Sequence, residues 1–143
     1  MRTRSLAPLL ALTTALTVPL TGTAYAAGCS GFAVPPHLNV ERTGIEGSGS
    51  MHCESAATNM TVTVCVEELA GGLLAVNAEW WSLGCTTTST VEATTDVQGT
   101  VVVQMPVYST YLRTTVTGTN DNGDTVATKS VPVWWFNCAC YVG

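Results

Sequence analysis

The chain has 143 residues, ten acidic and five basic side chains and six cysteines, for a formal charge of −5. Arg2 and Arg4 are two of the five bases, so the chain beyond residue 26 carries 3 − 10 = −7. It has no Lys/Arg cluster to neutralise phosphates, which argues against nucleic acid and anionic membranes as partners.

Residues 1–26 read as a secretory signal peptide. Arg2 and Arg4 form a positive start, Leu6 to Leu20 an apolar run, and Ala24-Tyr25-Ala26 a small-x-small cleavage site. The run is too short and too interrupted by proline and threonine to span a bilayer, so no membrane insertion is expected. Ala26-Ala27-Gly28-Cys29 also loosely resembles a bacterial lipoprotein box. However, Ala26 stands where leucine is usual, and lipidation of Cys29 would leave five cysteines unable to pair fully. In an exported chain of this size, Cys29, Cys53, Cys65, Cys85, Cys138 and Cys140 read as three disulfides, with the pairing open.

Residues 27–58 read as an N-terminal arm with a first short strand. The Pro35-Pro36 pair disfavours helix, Leu38 to Glu41 could form the strand, and Gly44 to Ser50 looks like a flexible turn. Residues 59–143 carry the remainder of a single β domain. From Met60, valines at 62, 64 and 66 alternate with Thr61, Thr63 and Cys65, the period of a half-buried strand. Gly71-Gly72 suggests a hairpin, followed by a strand from Leu74 to Leu83. Thr86 to Asp96 continues extended, and Gly99 precedes a strand from Val101 to Val107. Tyr111 to Thr119 and Thr125 to Phe136 flank the turn residues Asn120 to Asp124, and Pro132 demands an edge or a bulge. About seven short strands with frequent turns predict a small two-sheet β-sandwich.

Period two also sorts the tryptophans. Trp80, in phase with Val76 and Ala78, and Trp135, in phase with Val131 and Val133, should be core. Trp81 and Trp134 should then face outward. With Phe32, Pro35 and Pro36 of the arm, they are the candidate binding residues.

Catalytic constellations are thin, and neither an enzyme nor a cofactor is expected. His52-Cys53 could suggest a Cys-His nucleophile, but Cys53 is better read as a half-cystine. His37 and His52 lack a G-x-S-x-G nucleophile turn to serve. Glu67-Glu68 and Asp121/Asp124 read as solvated surface rather than a glycosidase pair. Cys138-x-Cys140 has a poor spacer for zinc. Asp121, Asn122 and Asp124 fit a turn better than a calcium loop. No small-molecule ligand is indicated.

The segment Tyr111-Leu-Arg-Thr-Thr-Val-Thr-Gly-Thr-Asn-Asp-Asn-Gly123, with a tryptophan expected on an early central strand, resembles immunoglobulin-like and fibronectin type III domains. That family implies a sandwich. Arg113 stands where its inter-sheet cysteine would be, which speaks against an antibody-like disulfide. The V-C-V strand, the Trp strand ending at Leu83-Gly84-Cys85 and the Tyr111-x-Arg113-Thr114 segment also resemble small exported proteins of actinomycetes. Among these, the layout is similar to the adaptor subunit of umbrella toxin particles. That resemblance implies an arm, Ala27 to Val40, inserted into a partner protein. The functional expectation is a secreted, non-enzymatic module that binds another extracellular protein. The alternatives are a secreted inhibitor of a protease or glycosidase, and a carbohydrate-binding module.

Overall fold

The computed structural model describes residues 28–70 and 78–136, all of it strand and turn, with no helix among them. In chain order the strands are β1 (Cys29–Leu38), β2 (Gly44–Ala57), β3 (Met60–Ala70), β4 (Glu79–Thr90), β5 (Thr94–Gln104), β6 (Thr110–Thr119), β7 (Thr125–Lys129) and β8 (Val133–Trp135). One sheet has the order β1-β2-β5. The other has the order β4-β3-β6-β7, with β8 also pairing to β6. All pairings are antiparallel. The connections from β2 to β3, β4 to β5 and β5 to β6 each cross between sheets, giving an immunoglobulin-like sandwich.

The core lies between the two sheets. β3 gives it Met60, Val62, Val64 and Val66, all fully buried, and β6 gives it Leu112 and Val116. From the facing sheet come Ile45 and Met51 of β2, with Val97, Val101 and Val103 of β5. Burying each such side chain contributes roughly 1.5–3 kcal/mol, enough in sum to align two sheets whose outer faces are largely Thr and Ser.

The arm expected over residues 27–58 is corrected. Residues 29–38 and 44–57 are long strands hydrogen-bonded into the first sheet. Leu38 to Glu41, expected as a strand, runs from the end of β1 into the turn instead. Gly44 to Ser50, expected as a flexible turn, begins the central strand of that sheet. The cause is close packing. A Cβ on Gly47 would lie 2.6 Å from a Val66 methyl, and one on Gly49 would lie 2.2 Å from a Val116 methyl and 2.6 Å from the Phe32 carbonyl oxygen. Here the facing sheet fills the space where side chains of β2 would be, so glycine serves close approach.

Among the described residues, two disulfides staple the sheets internally. Cys29–Cys53 joins β1 to β2, and Cys65–Cys85 joins β3 to β4, each between directly opposed residues. Neither bridges the two sheets as an antibody-type disulfide does, consistent with Arg113 at the usual cysteine position. With its sulfur bonded to Cys53, Cys29 has no thiol left for lipidation. Cys138 and Cys140 lie outside the described residues.

At the Cys29 end, the turn after β6 is organised by one side chain. The Asn120 carboxamide oxygen accepts from the backbone N–H of Asn122 and Asp124, both at 3.0 Å. Its amide donates to the Asp124 carboxylate at 3.0 Å and points at both sulfurs of the Cys29–Cys53 bridge at 3.7 Å. Asp121 accepts from Thr58 at 3.2 Å and from the Asn59 amide, tying this turn to the β2–β3 connection. These residues are turn formers, as their types suggest. Pro132 acts as expected: the returning strand breaks between β7 and β8, which resume pairing on either side of it along the sheet edge.

Candidate functional site

Aromatic residues gather at the far end of the five-stranded sheet, away from the Cys29–Cys53 bridge. Directly opposed residues of neighbouring strands share a face, so the register places each of them. Val62, Val64 and Val66 point inward, leaving Cys65, Glu67 and Leu69 on the outer face of β3. Glu67 pairs with Arg113 of β6 and Leu69 with Trp80 of β4. On the same outer face Tyr111 of β6 is opposite Trp134 of β8. A band therefore crosses four strands: Trp80, Leu69, Tyr111 and Trp134, with Glu67 and Arg113 beside it.

The band is held rigidly. Arg113 Nε donates to Glu67 Oε2 at 2.7 Å, and both side chains are largely shielded. The same guanidinium lies 4.0 Å above the Trp80 ring centroid, a cation–π contact. Tyr111 and Trp134 meet edge to face with centroids 4.7 Å apart. Trp134 remains 51% exposed, so one ring is both positioned and available.

Trp81 is 60% exposed but on the other face, opposite Glu68. Between Val66 and Glu67 the register shifts, with Leu83 as the extra residue on β4. That bulge reverses the phase of everything before it. Trp80, expected in the core, thus lies half-buried on the outer face beneath Arg113. Trp81 faces the inner side near the rim, where three strands cannot fully cover four. Both tryptophans sit on the edge strand β4, not on a central strand as the family resemblance implied. The expectations for Trp135 and Trp134 hold: Trp135 packs against the core and its indole N–H donates to the Pro106 carbonyl at 3.4 Å, while Trp134 faces out.

Glu68 corrects the solvated reading given to Glu67-Glu68. It is buried, and the Tyr108 hydroxyl donates to its two carboxylate oxygens at 2.8 and 2.7 Å. That hydrogen bond, helped by burial and by the carboxylate's charge, raises the Tyr108 phenol above its ordinary value. Adjacent on one strand, Glu67 and Glu68 point to opposite faces and cannot flank one scissile bond. Glu68, Leu83, Met105, Val107 and Tyr108 line a shallow cleft of about 320 Å³ at this rim.

The outer face of the β1-β2-β5 sheet is different. Phe32 is 63% exposed and stands with Val34 beside Ser48 and Ser50, with Gln98 and Thr100 across a groove of about 320 Å³. Pro35 is half-buried and Pro36 is buried, so Pro36 is withdrawn from the candidate binding residues. Both histidines lie on this face: His37 Nε2 is 3.7 Å from Glu46, and His52 Nδ1 is 2.8 Å from Asp96. The Thr95 hydroxyl, then His52, hold the Asp96 carboxyl below its usual range. Cys53 is oxidised, which removes the Cys-His nucleophile as a reading. Among the described residues no helix is long and apolar enough to cross a membrane, and no cluster of His, Cys, Asp and Glu forms a metal-binding set.

Sequence reasoning missed the Arg113–Glu67–Trp80 stack and the Tyr108–Glu68 pair. Only the bulge at Leu83 brings Trp80 under Arg113, and its one local cue is the neighbouring Gly84. Compared with known proteins, the chain matches no family model and no curated protein.

Proposed function

We propose that this chain is a secreted, non-enzymatic binding module that recognises another extracellular protein through the outer face around Trp134. The observation that carries this reading is the composition of the band: tryptophans, a tyrosine and an arginine fixed on regular strands, with Trp134 half exposed. Such residues dominate the energetics of protein interfaces, and rigid side chains lose little entropy on binding. The disulfides fit an oxidising compartment and the leader-like residues 1–26 fit export, so the module would act outside the cell.

An adaptor, joining two partners, is the sharper form of the proposal. Phe32 and Trp134 are exposed on opposite outer faces of the sandwich, so two proteins could be held at once. Residues 29–38 are committed to a sheet, so the face of β1 and not a free arm would make the second contact.

The test uses the exported protein, immobilised, with wild type and Trp134→Ala offered the culture supernatant in parallel. A partner retained by wild type and lost from Trp134→Ala supports the reading, with a cost of about 2 kcal/mol expected for a central tryptophan. Equal retention by both baits refutes it. Stoichiometric inhibition of a secreted protease or amylase would favour the inhibitor alternative, and retention on a polysaccharide matrix the carbohydrate one.

A further inference from the structure

Edge strands present rows of unpaired backbone N–H and C=O groups, and proteins normally blunt them with prolines, lysines, bulges or brevity. The edges of this sandwich differ in that respect. β1 carries Pro35-Pro36 and a register shift between Val34 and His37. At the opposite edge of the other sheet, β7 has five residues, ends at Lys129 and is cut from β8 by Pro132. β4 is left nearly bare. It has twelve residues, no proline or lysine, a single charge at Glu79, and one bulge, at Leu83, its fifth residue. From Gly84 to Thr90 it pairs without interruption to β3, stiffened by the Cys65–Cys85 bridge and by hydroxyl pairs Thr63–Thr87 at 2.8 Å and Thr61–Ser89 at 2.9 Å. Among the described residues no other strand pairs with it. β5 also ends a sheet on this flank, but β4 reaches further out: Thr86, opposite the fully buried Val64, is itself exposed.

We propose that β4 is a docking edge for an extended segment of a partner protein, which adds to the β4-β3-β6 sheet as a further strand. This deepens the protein-binding reading and rests on it. Backbone pairing would supply affinity and alternate side chains specificity. Charge decides the chemistry of the occupant. Exposed Glu79 begins the strand and exposed Glu92 follows its end, so the incoming segment carries Lys or Arg at both ends and β-branched residues between them. A second copy of this chain is disfavoured. Antiparallel pairing of β4 with itself would bring Glu79 of each copy beside Glu92 of the other, between molecules that each carry 3 − 10 = −7 over the described residues.

The probe is a fluorescein-labelled peptide of 14 residues, the count from Glu79 to Glu92, alternating valine and threonine, closed by lysines in one version and glutamates in the other. In an antiparallel edge strand alternate residues turn their N–H outward. Of Thr86→Pro and Thr87→Pro, therefore, one loses a ladder bond to β3 and melts lower, while the other loses only an outward donor and keeps the wild-type melting temperature. Expected results are binding of the lysine-ended peptide at least about ten-fold tighter than the glutamate-ended one, a drop of about ten-fold in the proline variant that melts normally, and peptide-induced hydrogen-exchange protection at alternate amides from 84 to 90. Equal binding of the two peptides, no binding, or protection confined to β5 or β1 overturns the proposal. So does a concentration-dependent doubling of mass abolished by the same proline, which would make the occupant a second copy. Peptide binding is read without the natural partner. Its failure, alongside a partner still lost in Trp134→Ala, would sink the edge and leave the aromatic face standing.

Discussion

β2 and β3 are both central strands, both run the length of the molecule and both bury alternate positions, yet their sequences have little in common. β3 is built from valines alternating with threonine and cysteine; β2, between the inward Ile45 and Met51, places Gly47 and Gly49 where β3 places side chains. The inward positions of β3 fill the core themselves. On β2, Ile45 and Met51 do the same, but the space at Gly47 and Gly49 is filled from across the core, by Val66 and Val116. A core needs a fixed total volume, not an equal share from each sheet. One strand can therefore be thinned to glycine if its neighbour reaches over.

Among the described residues each sheet holds one disulfide, and the largest losses are expected there. Removing either pair as a double Cys→Ala substitution should cost about 3 kcal/mol, because the bridges close loops with sequence separations of 24 and 20 residues. Cys29/Cys53 should cost the more. Cys53 is buried in the core and its sulfur is approached by the Asn120 amide, whereas Cys85 is exposed on the outer face. Urea unfolding of both double variants checks the order. Alkylation of the unreduced protein should leave Cys29, Cys53, Cys65 and Cys85 unmodified, and reaction at any of them would contradict the pairing.

Gly49→Ala comes next. The added methyl meets Val116 and the backbone of Phe32, and backbone cannot swing aside, so a loss of about 2 kcal/mol is expected. Ser48→Ala, one residue away and facing out, should be within about 0.5 kcal/mol of wild type. A Gly49→Ala protein as stable as Ser48→Ala would mean that the sheets are further apart here than described.

The same contrast explains what was legible. The Val62-to-Val66 alternation, the Asn120 turn and the interruption at Pro132 each follow from local chemistry, and all three could be read directly. Gly47-Ser48-Gly49-Ser50 could not, because its reason for being a strand lies on β3 and β6, more than a dozen residues away. The tryptophans were half legible. Trp134 and Trp135 follow the phase of their own strand, but the extra residue at Leu83 reverses the phase of Trp80 and Trp81. Gly84 beside the extra residue is a cue for a bulge, but it does not say which side chain is extra or which face the tryptophans then take. The candidate site was therefore found as two exposed rings, Trp81 and Trp134, and missed as a stack around Arg113.

The finest expected effect lies where the two sheets meet at the rim. Tyr108, on the connection leaving β5, donates to buried Glu68 of β3, and the pair ties one sheet to the other. The phenol's ionisation is raised above the ordinary value of about 10, first by this hydrogen bond and then by burial and the nearby carboxylate. A group whose folded value lies above its unfolded one stabilises the fold fully below the unfolded value, and loses that contribution as pH rises through the folded one. The rim should thus hold through neutral pH and loosen only in strong alkali. In Glu68→Gln the acceptor persists but the charge is gone, so Tyr108 should ionise at lower pH than in wild type. The near-ultraviolet phenolate absorbance of each protein, less that of its Tyr108→Phe counterpart, isolates this group. A titration unmoved by Glu68→Gln would mean that Tyr108 does not lie on the carboxylate, and that this pair does not tie one sheet to the other.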